Sequence, residues 1–400
     1  MKENINYSIC GDKLMVTKKR ILMLATTASM IEQFNIHNIN ILQALGAEVH
    51  VGTNFMNPGT ITKDKSDQLV EKLNDMGVVC HQIDFIRGIG THKSNKKALK
   101  QVCHVIRDEK ITGIHAHSPL GGIIGRRAAH KMHVKIIYTA HGFQFFKGGL
   151  IRDWLIFFPI EWFYAHWTNV LITINTDDYS VSRHLPVRRR YYIPGVGIDL
   201  KSVSETPRKE KSILRRKVRS QLKVSDNDFL IISVGELSKR KNHATVIKAI
   251  NNLHDPHIKY CIAGIGPEKN KLITLIHKYH LESNVTLLGY VNNLDGLYYA
   301  ADLNVFISTR EGLGLGGLDG VAHGLYIIGN GRTGMKDYIK EPETGLLLKN
   351  PEDKKKLAEM ITAVKVNKRT VQSQKLIECF DHENVDQIMR KIYFREFMEE

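Results

Sequence analysis

Cysteine is scarce and scattered in this chain. Cys10, Cys80, Cys103, Cys261 and Cys379 form no Cys-x-x-Cys pair. An odd, dispersed set argues for isolated thiols in a reducing compartment and against a disulfide frame or a cysteine zinc site. An uncharged apolar run is also missing. The most apolar stretch, Ile151 to Ile174, is interrupted by Arg152, Asp153, Glu161 and His166, short of the ~18 uninterrupted residues that a spanning helix needs. The polar start, Met1 to Met15, has no h-region, so no signal peptide is expected there. Negative charge is the last shortage: 41 acids face 57 lysines and arginines, a formal net charge of +16. That excess suits nucleic acid, an anionic membrane or a phosphorylated substrate. No nucleic-acid motif accompanies it.

What is present is a globular chain, 42% hydrophobic, long enough for two domains. Short buried runs alternate with helical patterns. Ile21 to Ala25 reads as a strand, Ile31 to Leu45 as a helix, and Glu48 to Gly52 as the next strand. The alternation continues through Val78 to Ile83, Ile111 to Ala116, Lys135 to Thr139 and Val170 to Ile174. Between Pro186 and Asp226 the cations crowd together, which reads as a linker followed by a surface helix. The alternation then resumes with Phe229 to Val234, Lys259 to Ala263, Val285 to Leu288, Leu303 to Ile307 and Tyr326 to Ile328. This pattern predicts an α/β chain of two doubly wound parallel sheets joined near residue 195, with a ligand cleft between them.

Three segments following predicted strands carry candidate chemistry. The richest is Glu311 to Asp319, with Gly312, Gly314, Gly316 and Gly317 where a helix should begin. A helix N-terminus presents free N–H groups to phosphate, and glycine lets a ligand approach the backbone. Glu311 and Asp319 stand eight positions apart, about two helical turns, and carboxylates there can accept from sugar hydroxyls. Gly312, Gly314 and Gly317 also fit the dinucleotide fingerprint, but the next strand ends Ile328-Gly329-Asn330 without the acid that pattern requires. The second segment, Val234 to His243, places Lys239, Arg240 and Lys241 where a diphosphate can be met. The third is His141-Gly142, placed to bond a sugar hydroxyl or a developing charge, or simply to cap a strand. His115 and His117 share one side of a strand, and without a third ligand at suitable spacing zinc is not expected.

Ile151, Trp154, Leu155, Phe158 and Trp162 fall at helical spacing. They predict either a core-packing helix or an aromatic face resting on a bilayer, with Lys147, Arg152 and the basic Arg183 to Arg190 region meeting anionic lipid. The stripe Val385, Ile388, Met389, Ile392, Tyr393 and Phe397 predicts a C-terminal amphipathic helix.

Taken in order, these segments resemble the retaining glycosyltransferases of family 4, from about Arg20 to Phe397. The resemblance rests on the acid pair Glu311 and Asp319, the loop Val234 to Asn242, Gly264-Ile265-Gly266-Pro267, Val285 to Val291 and Gly345-Leu346-Leu347 as a late turn. His115 to Gly122 and Tyr138 to Gly148 narrow it to exopolysaccharide and capsule assembly members. It implies the GT-B fold, two Rossmann-like domains around a cleft with a C-terminal helix crossing back. Residues 1–15 would be a flexible extension, 16–194 the acceptor domain, 195–380 the nucleotide-sugar domain and 381–400 the crossing helix.

The resemblance further implies that Glu311 and His141 serve the reacting sugar. Gly235, Arg240, Lys241, Gly264, Gly266, Tyr290, Gly314, Leu315, Gly316, Gly317 and Asp319 would bind the donor. Lys147, Arg152, Trp154 and Phe158 would meet acceptor or membrane. No metal or cofactor is expected. The implied partners are a nucleotide sugar, probed first as UDP-sugar, a lipid-diphosphate-linked saccharide and the anionic inner face of the plasma membrane, with a cytoplasmic, peripheral location. Three departures stand out: Asp319 is one methylene shorter than the usual Glu, Glu236 stands where many members carry Arg, and the first loop, Ala25 to Ser29, lacks the glycines many members have. Asp319 and Glu236 keep a non-catalytic glycosyltransferase-like partner open as an alternative, and the shared two-domain fold keeps open a UDP-sugar epimerase.

Overall fold

A computed structural model of the protein describes residues 18–371 and 373–399; the expected extension 1–15 lies outside the described residues. Seven strands form the first sheet: β1 (Arg20–Leu24), β2 (Glu48–Thr53), β3 (Val79–Gln82), β4 (Gly113–His117), β5 (Lys135–Ala140), β6 (Val170–Thr173) and β7 (Arg189–Tyr192). All pair in parallel, in the order β3-β2-β1-β4-β5-β6-β7. The second sheet holds β8 (Phe229–Val234), β9 (Ile258–Ala263), β10 (Val285–Gly289), β11 (Leu303–Phe306), β12 (Ile327–Asn330) and β13 (Gly345–Leu348). It is parallel throughout, in the order β10-β9-β8-β11-β12-β13.

The strands are apolar without alternation because helices cover both faces. In β1, Ile21 and Met23 join one core cluster while Leu22 and Leu24 join another. In β8, Ile231 and the pair Leu230 and Ile232 divide in the same way. Each sheet reverses its order once, between β1 and β4 and between β8 and β11. Ligand crevices open at such switch points, beyond the carboxyl ends of the strands. The loops carrying Lys241 and Glu311 follow β8 and β11 and so flank the second switch point.

One apolar cluster runs through both halves. It joins Met23, Ile172 and Ile193 of the first sheet region to Phe306, Leu313, Leu318 and Met335 of the second. The helix His382–Tyr393 crosses back onto the first half through Val385, Met389, Ile392 and Tyr393, all buried. Burial of each such side chain is worth about 1.5–3 kcal/mol. Phe397 follows in a short π-turn and packs so closely on Gly113 that a Cβ there would lie 2.6 Å from its ring. His37 extends the junction, with Nδ1 3.0 Å from Asp386 Oδ2 and its ring stacked on His382 at 3.8 Å between centroids.

Four expectations need correction. The predicted helix Ile31 to Leu45 is two helices, Ala28–Phe34 and Ile36–Ala44. Asn35 separates them, its side-chain amide donating to Met30 O instead of facing solvent. The basic stretch at Arg188 to Arg190 enters edge strand β7, where Arg189 is held by Glu396 at 2.9 Å. Gly345-Leu346-Leu347 is not a turn but part of β13. Trp154 and Phe158 do not share an exposed face with Ile151 and Leu155. The helix Ile151–Ala165 turns Trp154 and Phe158 inward against the core and leaves Ile151, Leu155, Ile156, Trp162 and Phe163 exposed. Glu161 anchors this helix through a buried bidentate pair with Arg126, at 2.5 and 3.2 Å, and the guanidinium also stacks over Tyr138 at 4.3 Å. No helix of the described residues is long and apolar enough to cross a membrane.

Candidate functional site

The loop after β8 closes as a single 3-10 turn, Lys239–Lys241, and Asn242 adopts a left-handed conformation (φ 61°) that starts the next helix. Asn tolerates that region better than most residues. Asn242 Nδ2 is tied to Pro351 O at 2.7 Å. Thr309 N donates to Arg240 O at 2.8 Å, so the β8 and β11 loops form one body. Within it Arg240 Nη1 and Lys241 Nζ both donate to Glu311 Oε1, at 2.5 and 2.7 Å. Lys241 Nζ also lies 4.4 Å above the Phe306 ring. Burial alone would raise the Glu311 carboxyl, but Lys241 and Arg240 outweigh it and hold the group below its usual range. Burial pulls the Lys241 ammonium down, opposed by Glu311. The result is two cations competing for one carboxylate at a sheet switch point.

The glycines around this body allow close packing. A Cβ on Gly264 would meet Gly235 O at 1.9 Å, and one on Gly266 would meet Leu237 O at 2.5 Å. Gly316 is pressed on Val234 O and Gly317 on the Tyr338 hydroxyl. Gly314 is left-handed (φ 83°) and precedes the helix Leu315–Ala322. Its carbonyl accepts from Tyr338, and that of Gly316 accepts from Tyr298 and Asn304. The helix start is thereby fixed by three side chains from the body of the second half.

Asp319 sits on that helix, apart from Glu311. Burial, with Asp295 nearby, pushes its carboxyl up to about 7. Among the described residues no hydrogen bond reaches its carboxylate. The two acids eight positions apart are thus in opposite states, one ionised and paired, the other half-neutral and unpaired.

The opposite wall is built on β5. The backbone at His141 and Gly142 touches Gly312 directly: a Cβ on Gly312 would lie 2.1 Å from His141 O, and one on Gly142 2.9 Å from Gly312 Cα. Asp178 holds this loop by accepting from Phe143 N at 3.2 Å and Asn175 Nδ2 at 2.8 Å. The His141 ring meets His117, Nε2 to Nδ1, at 3.0 Å. Burial lowers the His141 imidazole to about 4.

Polar contacts bridge the cleft. Arg87 pairs with Glu236 at 3.1 Å, and Lys65 Nζ donates to Tyr290 Oη at 3.2 Å and Asn292 Oδ1 at 3.3 Å. Thr176 N donates to Asp337 at 2.8 Å, and Lys336 pairs with Asp177 at 2.7 Å. The structure therefore brings together Gly235, Arg240, Lys241, Glu311 and Gly314 to Gly317. It places His141 against them across the cleft. Tyr290 stands at the cleft mouth, and Asp319 on the far side of the Gly-rich turn. Lys147 and Arg152 lie exposed near the helix Ile151–Ala165. Sequence reading missed Arg87, Lys65 and Phe306, and it weighed His117 only as a zinc ligand, not as a partner of His141. No local pattern marks the first three, since each acts through a partner distant in the chain.

Comparison with known proteins covers most of the chain. A model described as "Glycosyl transferases group 1" matches residues 215–378, and one described as "Glycosyl transferase 4-like" matches residues 20–173. The chain is 29% identical over 338 residues to "Putative glycosyltransferase EpsD" of Bacillus subtilis, covering 83% of this chain and 84% of that protein. It is 28% identical over 284 residues to an Escherichia coli UDP-Gal:alpha-D-GlcNAc-diphosphoundecaprenol alpha-1,3-galactosyltransferase, covering 68% and 69%. Anabaena HepE in complex with UDP and glucose superposes with a TM-score of 0.73 at 17% identity, over 93% of this chain and 98% of that one. Sucrose-phosphate synthase from Thermosynechococcus elongatus superposes at 0.76 and 18%, over 95% and 100%. At those identities the two structures share the fold.

Proposed function

This chain belongs to the GT-B glycosyltransferases of the family 4 type, and on that premise we propose that it transfers a sugar, with retention, from a nucleotide diphosphate sugar to a lipid-diphosphate-linked saccharide. It acts in polysaccharide or lipid-linked glycan synthesis. UDP is the first nucleotide to test, since the E. coli relative takes UDP-Gal.

The observation that carries the reading is the shared carboxylate. Arg240 and Lys241 both pair with Glu311. An arriving diphosphate takes those cations through stronger charge-assisted bonds. Glu311 is then released to accept from the sugar's hydroxyls. The bond from the anomeric carbon to the phosphate oxygen breaks, and the acceptor hydroxyl oxygen bonds the same carbon on the same face. The hydroxyl proton passes to the departing diphosphate. Lys241, Arg240 and the backbone at Gly314 to Gly317 stabilise the charge that develops there, and no step draws on a metal. Asp319 accepts from the ribose. The exposed face Ile151, Leu155, Ile156, Trp162 and Phe163, with Lys147 and Arg152 beside it, rests on an anionic membrane at the cytoplasmic surface and brings the lipid acceptor to the cleft.

Incubating UDP- and GDP-sugars with an undecaprenyl-diphosphate saccharide tests this directly. Label entering the lipid fraction with the anomeric configuration kept is the expected result. Conversion of the nucleotide sugar without acceptor would instead make the chain an epimerase. Failure of every donor to bind would make it a non-catalytic partner.

A further inference from the structure

Three histidines line the first-half wall, and their hydrogen bonds divide them into two groups. His115 is used up internally: Nδ1 lies 2.6 Å from Tyr393 Oη and Nε2 2.8 Å from Thr139 Oγ1. His117 and His141 form a separate chain. His141 Nε2 meets His117 Nδ1 at 3.0 Å, and His117 Nε2 meets Met23 Sδ at 3.2 Å. Burial and the neighbouring imidazoles hold His117 well below its ordinary value, so both rings are neutral and each carries one proton.

A thioether sulfur has lone pairs and no proton, so it only accepts. The proton of His117 is therefore on Nε2, directed at Met23. Nδ1 of His117 is then a bare lone pair, and it accepts from Nε2–H of His141. That bond uses the one proton His141 has, leaving its Nδ1 unprotonated. Among the described residues no donor reaches that nitrogen. His141 is half-buried: its backbone carbonyl lies against Gly312 of the Glu311 loop, and the residue lines a cavity with Phe34, His117 and Thr139.

We infer that Met23 and His117 form a tautomer-setting relay that makes His141 an obligate hydrogen-bond acceptor toward the donor sugar. The inference rests on the nucleotide-sugar reading of the cleft. It adds a selection rule: the sugar must present a hydroxyl that donates at this point. A carbonyl, a carboxylate or a fluorine placed there meets a lone pair and is disfavoured. Glu311 on the opposite wall is also an acceptor, so the reacting sugar is gripped by lone pairs from both sides. His141 touches the sugar; His117 and Met23 are positioning residues.

The test labels the full chain with 15N-histidine and assigns His141 by its loss in His141→Gln. Long-range 1H–15N correlation is expected to show Nδ1 of His141 unprotonated and Nε2 protonated from pH 6 to 8. The reverse assignment, or an average of the two, overturns the relay. Met23→Leu keeps the bulk and removes the sulfur acceptor. It is expected to give mixed tautomers and weaken nucleotide-sugar binding about three- to tenfold, the worth of one neutral hydrogen bond, while leaving UDP binding unchanged. His117→Asn, whose Oδ1 accepts where Nδ1 did, is expected to keep the His141 tautomer and near-normal affinity, whereas His117→Phe loses both. Unchanged sugar binding in Met23→Leu overturns the inference, as does an equal loss for UDP alone. If the wild-type chain binds no nucleotide sugar in calorimetry, the ligand named here falls with the donor-site reading. The 15N spectrum reports on the relay independently of that outcome.

Discussion

On one wall of the cleft Arg240, Lys241 and Glu311 meet as ions; on the other His117 and His141 meet as neutral rings. Lys241, Glu311 and His117 are largely shielded from water, yet the two groups handle burial in opposite ways. The charged group keeps its ions by pairing them, and such pairs can be exchanged for a diphosphate of similar charge. The neutral group has shed its protons and offers fixed lone pairs, which suit neutral hydroxyls. Asp319 belongs to neither. It is half-buried, with no hydrogen bond to its carboxylate among the described residues and a pKa raised to about 7, and so stands ready for a ligand that would ionise it.

The largest expected effect breaks the charged wall. Glu311→Gln leaves Arg240 and Lys241 without their acid. Sugar transfer should fall about 100-fold or more, by the scale of lost transition-state contacts. Pyrophosphate and UDP should bind several-fold more tightly, because no carboxylate has to be displaced. Transfer assays and calorimetry read the two opposite signs, and weaker binding of both ligands would contradict the exchange.

Next in size is the membrane face. Leu155→Asp places a charge in the exposed apolar patch, and partition onto anionic vesicles should drop about tenfold, given the ~0.8 kcal/mol that each buried CH₂ contributes and the added cost of burying the charge. Soluble-donor binding should not change. Equal vesicle binding would remove that helix from the membrane.

Asp319→Asn sharpens the contrast between the acids. The Asp319 pKa is raised in the fold, from 3.8 to about 7. Between those values the folded chain holds a proton that the unfolded chain has released, so stability falls as pH rises through the window. The Asn variant escapes this cost. It should be more stable than wild type at pH 8 by about 1–2 kcal/mol, a figure below the full shift because the carboxyl is partly open to solvent. The gain should vanish toward pH 4 in urea melts. Nucleotide affinity should move the other way, falling in Asp319→Asn and rising from pH 6 to 8 in the wild type.

The smallest effect concerns the bridge across the cleft. Arg87→Ala removes an exposed pair with Glu236, a contact of a class worth about 0.2–1 kcal/mol. Scattering should show a slightly more open average shape, with turnover changed less than about threefold.

Much of the architecture was legible because buried parallel strands read as short apolar runs separated by helical patterns. It failed where a strand lies at an edge. Arg189 in β7 reads as linker because its charge is neutralised by Glu396, 207 residues on. The Gly-rich and basic loops were legible as phosphate chemistry, since glycine and cations at strand ends have few other uses. Their mutual pairing was not, because it depends on how two loops 70 residues apart dock. Helical spacing alone placed Trp154 and Phe158 with Ile151. The buried pair of Glu161 with Arg126 sets the rotation of that helix and turns them inward. The role of Met23 was hidden for the same reason: a methionine inside a strand looks like core until a histidine is seen to point at its sulfur.

The central claim is that the charged wall receives the diphosphate of a nucleotide sugar, and calorimetric titration of UDP-sugars into wild type and Lys241→Ala tests it most directly. The account predicts that the wild-type chain binds at least one of them and that Lys241→Ala weakens it about 30-fold or more, the usual loss when one partner of a shielded charge contact is truncated. Indistinguishable affinities in the two proteins would contradict it.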